Sequence, residues 1–194
     1  MLGFVATLGV SAAAGLNAYV PLLLLGWLSR STDLVSLTSP WDRLEEPGVM
    51  AAIGALALID FIGDKIPAVD HALHALGTVI APVAGGAAAL ATAGPVDVDP
   101  AAAGLLGVVA ALATHAGRSA ARPAATVATG GAGNPVLSLA EDITSGALTV
   151  LAFAAPLIAL MILIAIAVAI VWGIRRFRSL GRRLDRALGI APRR

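Results

Sequence analysis

Residues 143–174 read ITSGALTVLAFAAPLIALMILIAIAVAIVWGI, without one charged side chain, and run straight into Arg175-Arg176-Phe177-Arg178. At about 1.5 Å per residue, a single helix of that length overshoots a hydrocarbon core of about 30 Å. Pro156 supplies the break, because an interior proline removes a backbone donor and crowds the preceding turn. The stretch therefore divides into a helix over 137–153 and a second over 156–174, joined by a very short turn. Working back towards the N-terminus, further uncharged runs cover 1–29, 48–59, 71–96, 100–117 and 123–140. They predict spans over 2–28, 48–66, 75–94 and 101–122, making six in all, with several residues of latitude at each boundary. The first run has no Lys or Arg before it, so it reads as a span and not as a cleavable signal peptide.

Composition gives the same class. The chain of 194 residues is 58% apolar and 13% charged, where a soluble domain carries about 25% charge; the mean hydropathy is +0.90. A water-soluble globule is excluded. The net charge of +1 gives no electrostatic footing for nucleic acid. The absence of cysteine removes disulfides, thiolate nucleophiles and Cys-ligated metal centres.

Charge placement sets the expected topology. Eight arginines, at 175, 176, 178, 182, 183, 186, 193 and 194, follow the last span and place the C-terminus in the cytoplasm. Six crossings bring the N-terminus to the same side. Lys65, Arg118 and Arg122 then fall towards the inside. The segment from Arg30 to Pro47, with Asp33, Asp42, Glu45 and Glu46, and the link Asp97-Val98-Asp99 fall outside. The expected location is the plasma (inner) membrane. The basic tail, 175–194, reads as an amphipathic segment on anionic lipid.

Gly15-Leu16-Asn17-Ala18-Tyr19-Val20-Pro21 and Gly117-Arg118-Ser119-Ala120-Ala121-Arg122-Pro123 share the pattern G-x-x-A-x-x-P. The pattern divides a single transmembrane domain, 1–174, into three-helix halves at about 1–95 and 100–174. An odd number of crossings per half inverts one half relative to the other, and Gly and Pro inside the spans point to broken or re-entrant helices. The expected fold is thus all-α, a polytopic bundle of about six transmembrane helices in two inverted repeats.

Charges inside spans carry the functional reading, since each costs roughly 2.5–3.5 kcal/mol at a helix centre. Asp60 and Asp64 lie in the second span, with Lys65 beside them. His115, Arg118 and Arg122 are spaced to share one face of the fourth span, and Glu141 and Asp142 open the fifth. The natural partners of the arginines are these four carboxylates, either as structural ion pairs or as a working site. In the second case Arg118, Arg122, His115, Asn134, Asn17 and Lys65 bind an anionic substrate, and Asp60, Asp64, Glu141 and Asp142 couple protons or cations. Thr129 to Pro135 is not expected to form a helix and reads as a re-entrant or cavity-lining turn or a cytoplasmic loop. Ser138 and Glu141 are spaced as a capping box. Asp70, His71 and His74 leave a metal site open, but no cofactor motif is present.

The order Gly15-x-Asn17-Ala18-Tyr19, Asp64-Lys65-Ile66-Pro67-x-x-Asp70, His115 with Arg118 and Arg122, Asn134-Pro135, and Ser138-Leu139-Ala140-Glu141-Asp142 resembles the bacterial membrane-protein family known as domain of unknown function 4126. The likeness covers about residues 8–172. It implies the membrane class and the choice of motifs, and it brings no activity with it.

The function expected from these residues is a small transporter of an anionic or phosphate-bearing solute or lipid carrier, with proton or cation coupling and no enzymatic step. Membrane lipids and a second copy of the chain are the expected partners. Close-packing small residues such as Ala84, Gly85, Gly86 and Ala87 suit either contact. A metal-dependent enzyme on a lipid headgroup, using the Asp60 to His74 cluster, and a non-catalytic envelope scaffold rank behind it.

Overall fold

A computed structural model describes residues 2–94 and 98–187. Every regular element among them is helical: α1 (Leu2–Leu16), α2 (Tyr19–Ser31), α3 (Pro47–Gly63), α4 (Pro67–Ala93), α5 (Pro100–Thr129), α6 (Asn134–Ala154) and α7 (Pro156–Ala187). A 3-10 turn over Trp41–Glu45 leads into α3. Pro47, Pro67, Pro100 and Pro156 each stand at a helix start, where the missing N–H has no intrahelical partner to lose. Asp99 caps α5 by accepting a hydrogen bond from the Ala102 N–H at 2.8 Å.

Among the described residues four segments are long and apolar enough to cross a membrane: Ala72–Ala93, Pro100–Thr129, Asn134–Ala154 and Pro156–Gly173. Leu2–Leu16 and Pro47–Gly63 are apolar but shorter. Proline ends the helix before Pro156, as the sequence leads one to expect, since α6 stops at Ala154 and α7 starts at Pro156.

The centre of the bundle is α1, only 15 residues long. Ten of its residues are buried, from Ala6 to Leu16, and α4, α5, α6 and α7 surround it. Small side chains allow this. A Cβ added to Gly85 on α4 would sit 2.3 Å from the Ala111 Cβ on α5 and 3.2 Å from the Ser11 carbonyl oxygen on α1. Three backbones thus converge where any larger residue would force them apart, the close approach that replaces a hydrophobic driving force between helices in an apolar medium. On the other flank Ala6, Ala13 and Leu16 pack with Leu148, Ala152 and Ala159 of α6 and α7. By contrast, α3 contributes only Gly63 to the buried set.

Two expectations need correction. The two copies of G-x-x-A-x-x-P do not behave alike: the first interrupts a span, at Asn17 and Ala18, whereas Gly117 to Pro123 lies within the unbroken α5. The cause is the third residue of the motif. The Asn17 carboxamide oxygen reaches forward to the N–H groups of Tyr19 (2.9 Å) and Val20 (3.1 Å) and starts a new helix. Ser119 instead donates backward to the His115 carbonyl at 2.8 Å and leaves the helix continuous. The basic tail, in turn, is no separate element up to Ala187, because α7, 32 residues long, runs on into it. Positions 188–194 lie outside the described residues.

Candidate functional site

The site forms where α1 ends. An α-helix that stops inside a bundle leaves carbonyl oxygens without partners and presents the negative end of its dipole. Here the Arg118 guanidinium donates to the Leu16 carbonyl, and the Ser145 hydroxyl donates to the Ala13 carbonyl at 2.9 Å and lies 3.4 Å from that of Asn17. The other half of the break is served by Asn17 itself, only 4% exposed. Its oxygen caps α2, and its amide nitrogen donates to Asp142 Oδ1 at 2.9 Å and Asp60 Oδ2 at 3.3 Å. With N–H groups on one side and carboxylates on the other, only one orientation of the amide satisfies both.

Beside this lies an ionic cluster drawn from three helices. Arg118 Nε is 2.8 Å from Glu141 Oε2, and an Arg122 terminal nitrogen is 2.8 Å from the same oxygen. Both guanidinium groups also face Asp64 Oδ2, at 3.7 and 3.8 Å. All four side chains are nearly enclosed, from 4% exposed for Asp64 to 12% for Arg118. The Ser138 hydroxyl donates to the same Asp64 oxygen. Helical spacing on α5 aligns Arg118 and Arg122, while α3 and α6 bring the carboxylates. Counting Asp60 and Asp142, the site holds four carboxylates against two guanidiniums.

A small cavity, with space for water centres of about 30 Å³, opens against this cluster. Asn17, Asp60, Asp64 and Arg118 line it on one side and His74 and His115 on the other. The two imidazole rings lie 5.2 Å apart with a 30° tilt. Gly77 makes room for the inner one: a Cβ there would be 2.9 Å from His115 Cε1.

Most of the residues singled out in the sequence therefore converge: Asn17, Asp60, Asp64, His115, Arg118, Arg122, Glu141 and Asp142. Two do not. Lys65 is exposed and folds back on α3, donating to the Phe61 carbonyl at 2.6 Å with its ammonium 3.2 Å from the Phe61 ring centroid. Asn134 accepts a hydrogen bond from Thr126 at 3.0 Å and ties α5 to α6 across the turn. That turn, Gly130 to Gly133, is a tight helix-to-helix connection closed by two glycines with positive φ and not a re-entrant excursion.

Ser138 does not cap α6, which begins at Asn134, and serves Asp64 instead. Ser145 was not marked by any motif, and its i+4 spacing from Glu141 on α6 was the available signal. Among the described residues no group of three His, Asp or Glu side chains is placed to hold a metal. The side chains of Asp70 and His71 lie outside the described residues.

An all-helical bundle with long apolar helices and a buried ionic cluster at a helix break is a polytopic membrane-protein architecture. The chain belongs to the family described as domain of unknown function (DUF4126), which it matches over residues 4–176. No curated protein and no solved structure matches it.

Proposed function

We propose that the protein is a small transporter of an anionic or phosphate-bearing solute or lipid carrier, coupled to proton or cation binding. The observation that supports this reading is the buried meeting of Arg118, Arg122, Glu141 and Asp64 at an interrupted helix. Discontinuous helices whose freed backbone groups and charges face a cavity are how many secondary transporters build a site at the middle of the bilayer. The arginines are occupied by Glu141, so an anion binds only by taking the place of that carboxylate. Anion binding is thereby tied to whatever neutralises the acidic groups, which is the logic of coupling.

In this reading the six crossings, with α1 and α2 together as the first, leave both termini in the cytoplasm and the basic end of α7 at the inner surface of the plasma membrane. The two three-helix halves form an inverted pair in which only the first half keeps a break. A homodimer is the expected assembly.

Native mass spectrometry of the gently purified protein tests the proposal. A retained phospholipid or polyprenyl phosphate, lost in Arg118→Gln/Arg122→Gln, is the expected result. A folded wild type that retains no lipid phosphate, and whose melting temperature inorganic phosphate leaves unchanged, overturns it. Because the double variant removes two buried ion pairs, Glu141→Gln serves as the second arm. It frees both arginines and raises phosphate occupancy.

A further inference from the structure

The transporter reading leaves the coupling ion unnamed, and the cavity between the carboxylates and the histidine pair bears on it. Four acidic side chains, Asp60 on α3, Asp64 at its C-cap and Glu141 and Asp142 on α6, face two guanidiniums on α5, Arg118 and Arg122. Among the described residues Tyr19 on α2, His74 on α4 and His115 on α5 are the further titratable groups beside Asp60, and Lys65 lies outside, bonded to the Phe61 carbonyl. Glu141 and Asp64 are matched by the arginines, whereas among the described residues the hydrogen-bond donor that Asp60 and Asp142 share is the amide of Asn17. Asp60 and Asp142 are only half-buried, yet two carboxylates held together at the edge of an enclosed ionic cluster still call for a positive counterpart.

His115 is a second, independent sign. It is 3% exposed and lines the cavity, and apart from the neighbouring Gly15 backbone neither ring nitrogen has a hydrogen-bond partner among the described residues. An imidazole so enclosed is usually satisfied by protein or water. The available volume suits about two water molecules. That is enough to join Asp60 to the imidazole and too little for a solute.

Resting on the transporter reading, we infer that this cavity is a proton-loading site, in which Asp60 holds the coupling proton and His115, backed by the less buried His74, passes it to and from the carboxylates. A proton reaching one ring nitrogen of His115 is matched by one leaving the other, so each transfer balances with no change in covalent skeleton. Water in the cavity carries it to Asp60. The Asn17 amide, a donor to both aspartates, keeps the acceptor oxygen aimed at the cavity.

Infrared spectroscopy of the protein in lipid bilayers tests this without knowing the substrate. At neutral pH the wild type is expected to show the C=O stretch of a protonated carboxylic acid, shifted in D2O and absent in Asp60→Asn. If that variant fails to fold, Asp60→Glu displaces the band in frequency. His115→Asn is expected to slow hydrogen–deuterium exchange of the band roughly tenfold or more, at an unchanged melting temperature.

A missing band, a band that survives Asp60→Asn, or a band abolished by replacing choline chloride with sodium chloride overturns the inference. Phosphate binding at Arg118 and Arg122 without the band leaves the transporter reading standing and removes the proton. The band without any phosphate-dependent behaviour supports the loading site and counts against the transported anion.

Discussion

Replacing Asn17 by alanine tests the helix break at the one residue that holds both sides of it. The substitution removes the cap of α2, made through the N–H groups of Tyr19 and Val20; a cap of this kind is worth about 1 kcal/mol. It also removes two donors to carboxylates, each worth about 1.5–3 kcal/mol in a favourable geometry. The contact to Asp60, at 3.3 Å, is long for a charge-assisted bond, so the lower end applies and the expected loss is about 4 kcal/mol.

For a chain of this size that lowers the melting temperature by roughly 8–16 °C, readable from tryptophan fluorescence in detergent. Asn17→Ser keeps a cap but cannot reach the aspartates, so it should recover about 1 kcal/mol of the loss. An Asn17→Ala protein melting within a degree or two of the wild type would refute the claim that this side chain holds the break. So would a serine variant no better than alanine.

Glu141→Gln should lower stability, since it strips the shared oxygen's charge from two buried guanidiniums at a cost of up to about 3–5 kcal/mol. Inorganic phosphate should then raise its melting temperature more than that of the wild type, as expected when a ligand binds the folded state. Gly85→Val is expected to abolish folded protein on size-exclusion chromatography, because its Cβ has 2.3 Å to the Ala111 methyl and backbone on two sides. Lys65→Ala should change stability by less than about 1 kcal/mol, the range of an exposed cation–π contact, and leave phosphate binding unaltered. A clear loss of binding would return Lys65 to the site. Asn134→Ala should likewise leave phosphate binding intact while weakening the tie to Thr126, measured as faster amide exchange at the turn.

The helices and the charge cluster were legible in the sequence for different reasons. Apolar runs bounded by charge and proline define spans because nothing else survives in an apolar medium, and α6 and α7 end and begin where Pro156 requires. The one-face spacing of His115, Arg118 and Arg122 is a property of any helix, and their meeting with Glu141 and Asp64 followed from charge alone. What the residues could not disclose is direction. Asn17 and Ser119 occupy matching motif positions, but one bonds forward and the other back, a difference of side-chain reach that no period records. Ser138 has the spacing of a cap and the position of a ligand to Asp64, and only the true start of α6 separates those roles. Lys65 misled because a charge near a helix end has its own carbonyls to satisfy.

The peripheral seat of α3 sets how the cluster can be dismantled. Leu56, Leu58, Ile59 and Ile62 of this helix all point away from the bundle, and Asp60 rides on the same helix. Swinging α3 outward exchanges one apolar surrounding for another at those side chains, and the packing it must undo lies against α2, α4 and the Trp41–Glu45 turn. Among the described residues the hydrogen bond that restrains Asp60 is the amide contact with Asn17. At the next turn Asp64 stays pinned under Ser138 and two arginines. The helix therefore has a fixed end and a loose arm, a lever with its fulcrum at Asp64 and its load one turn away.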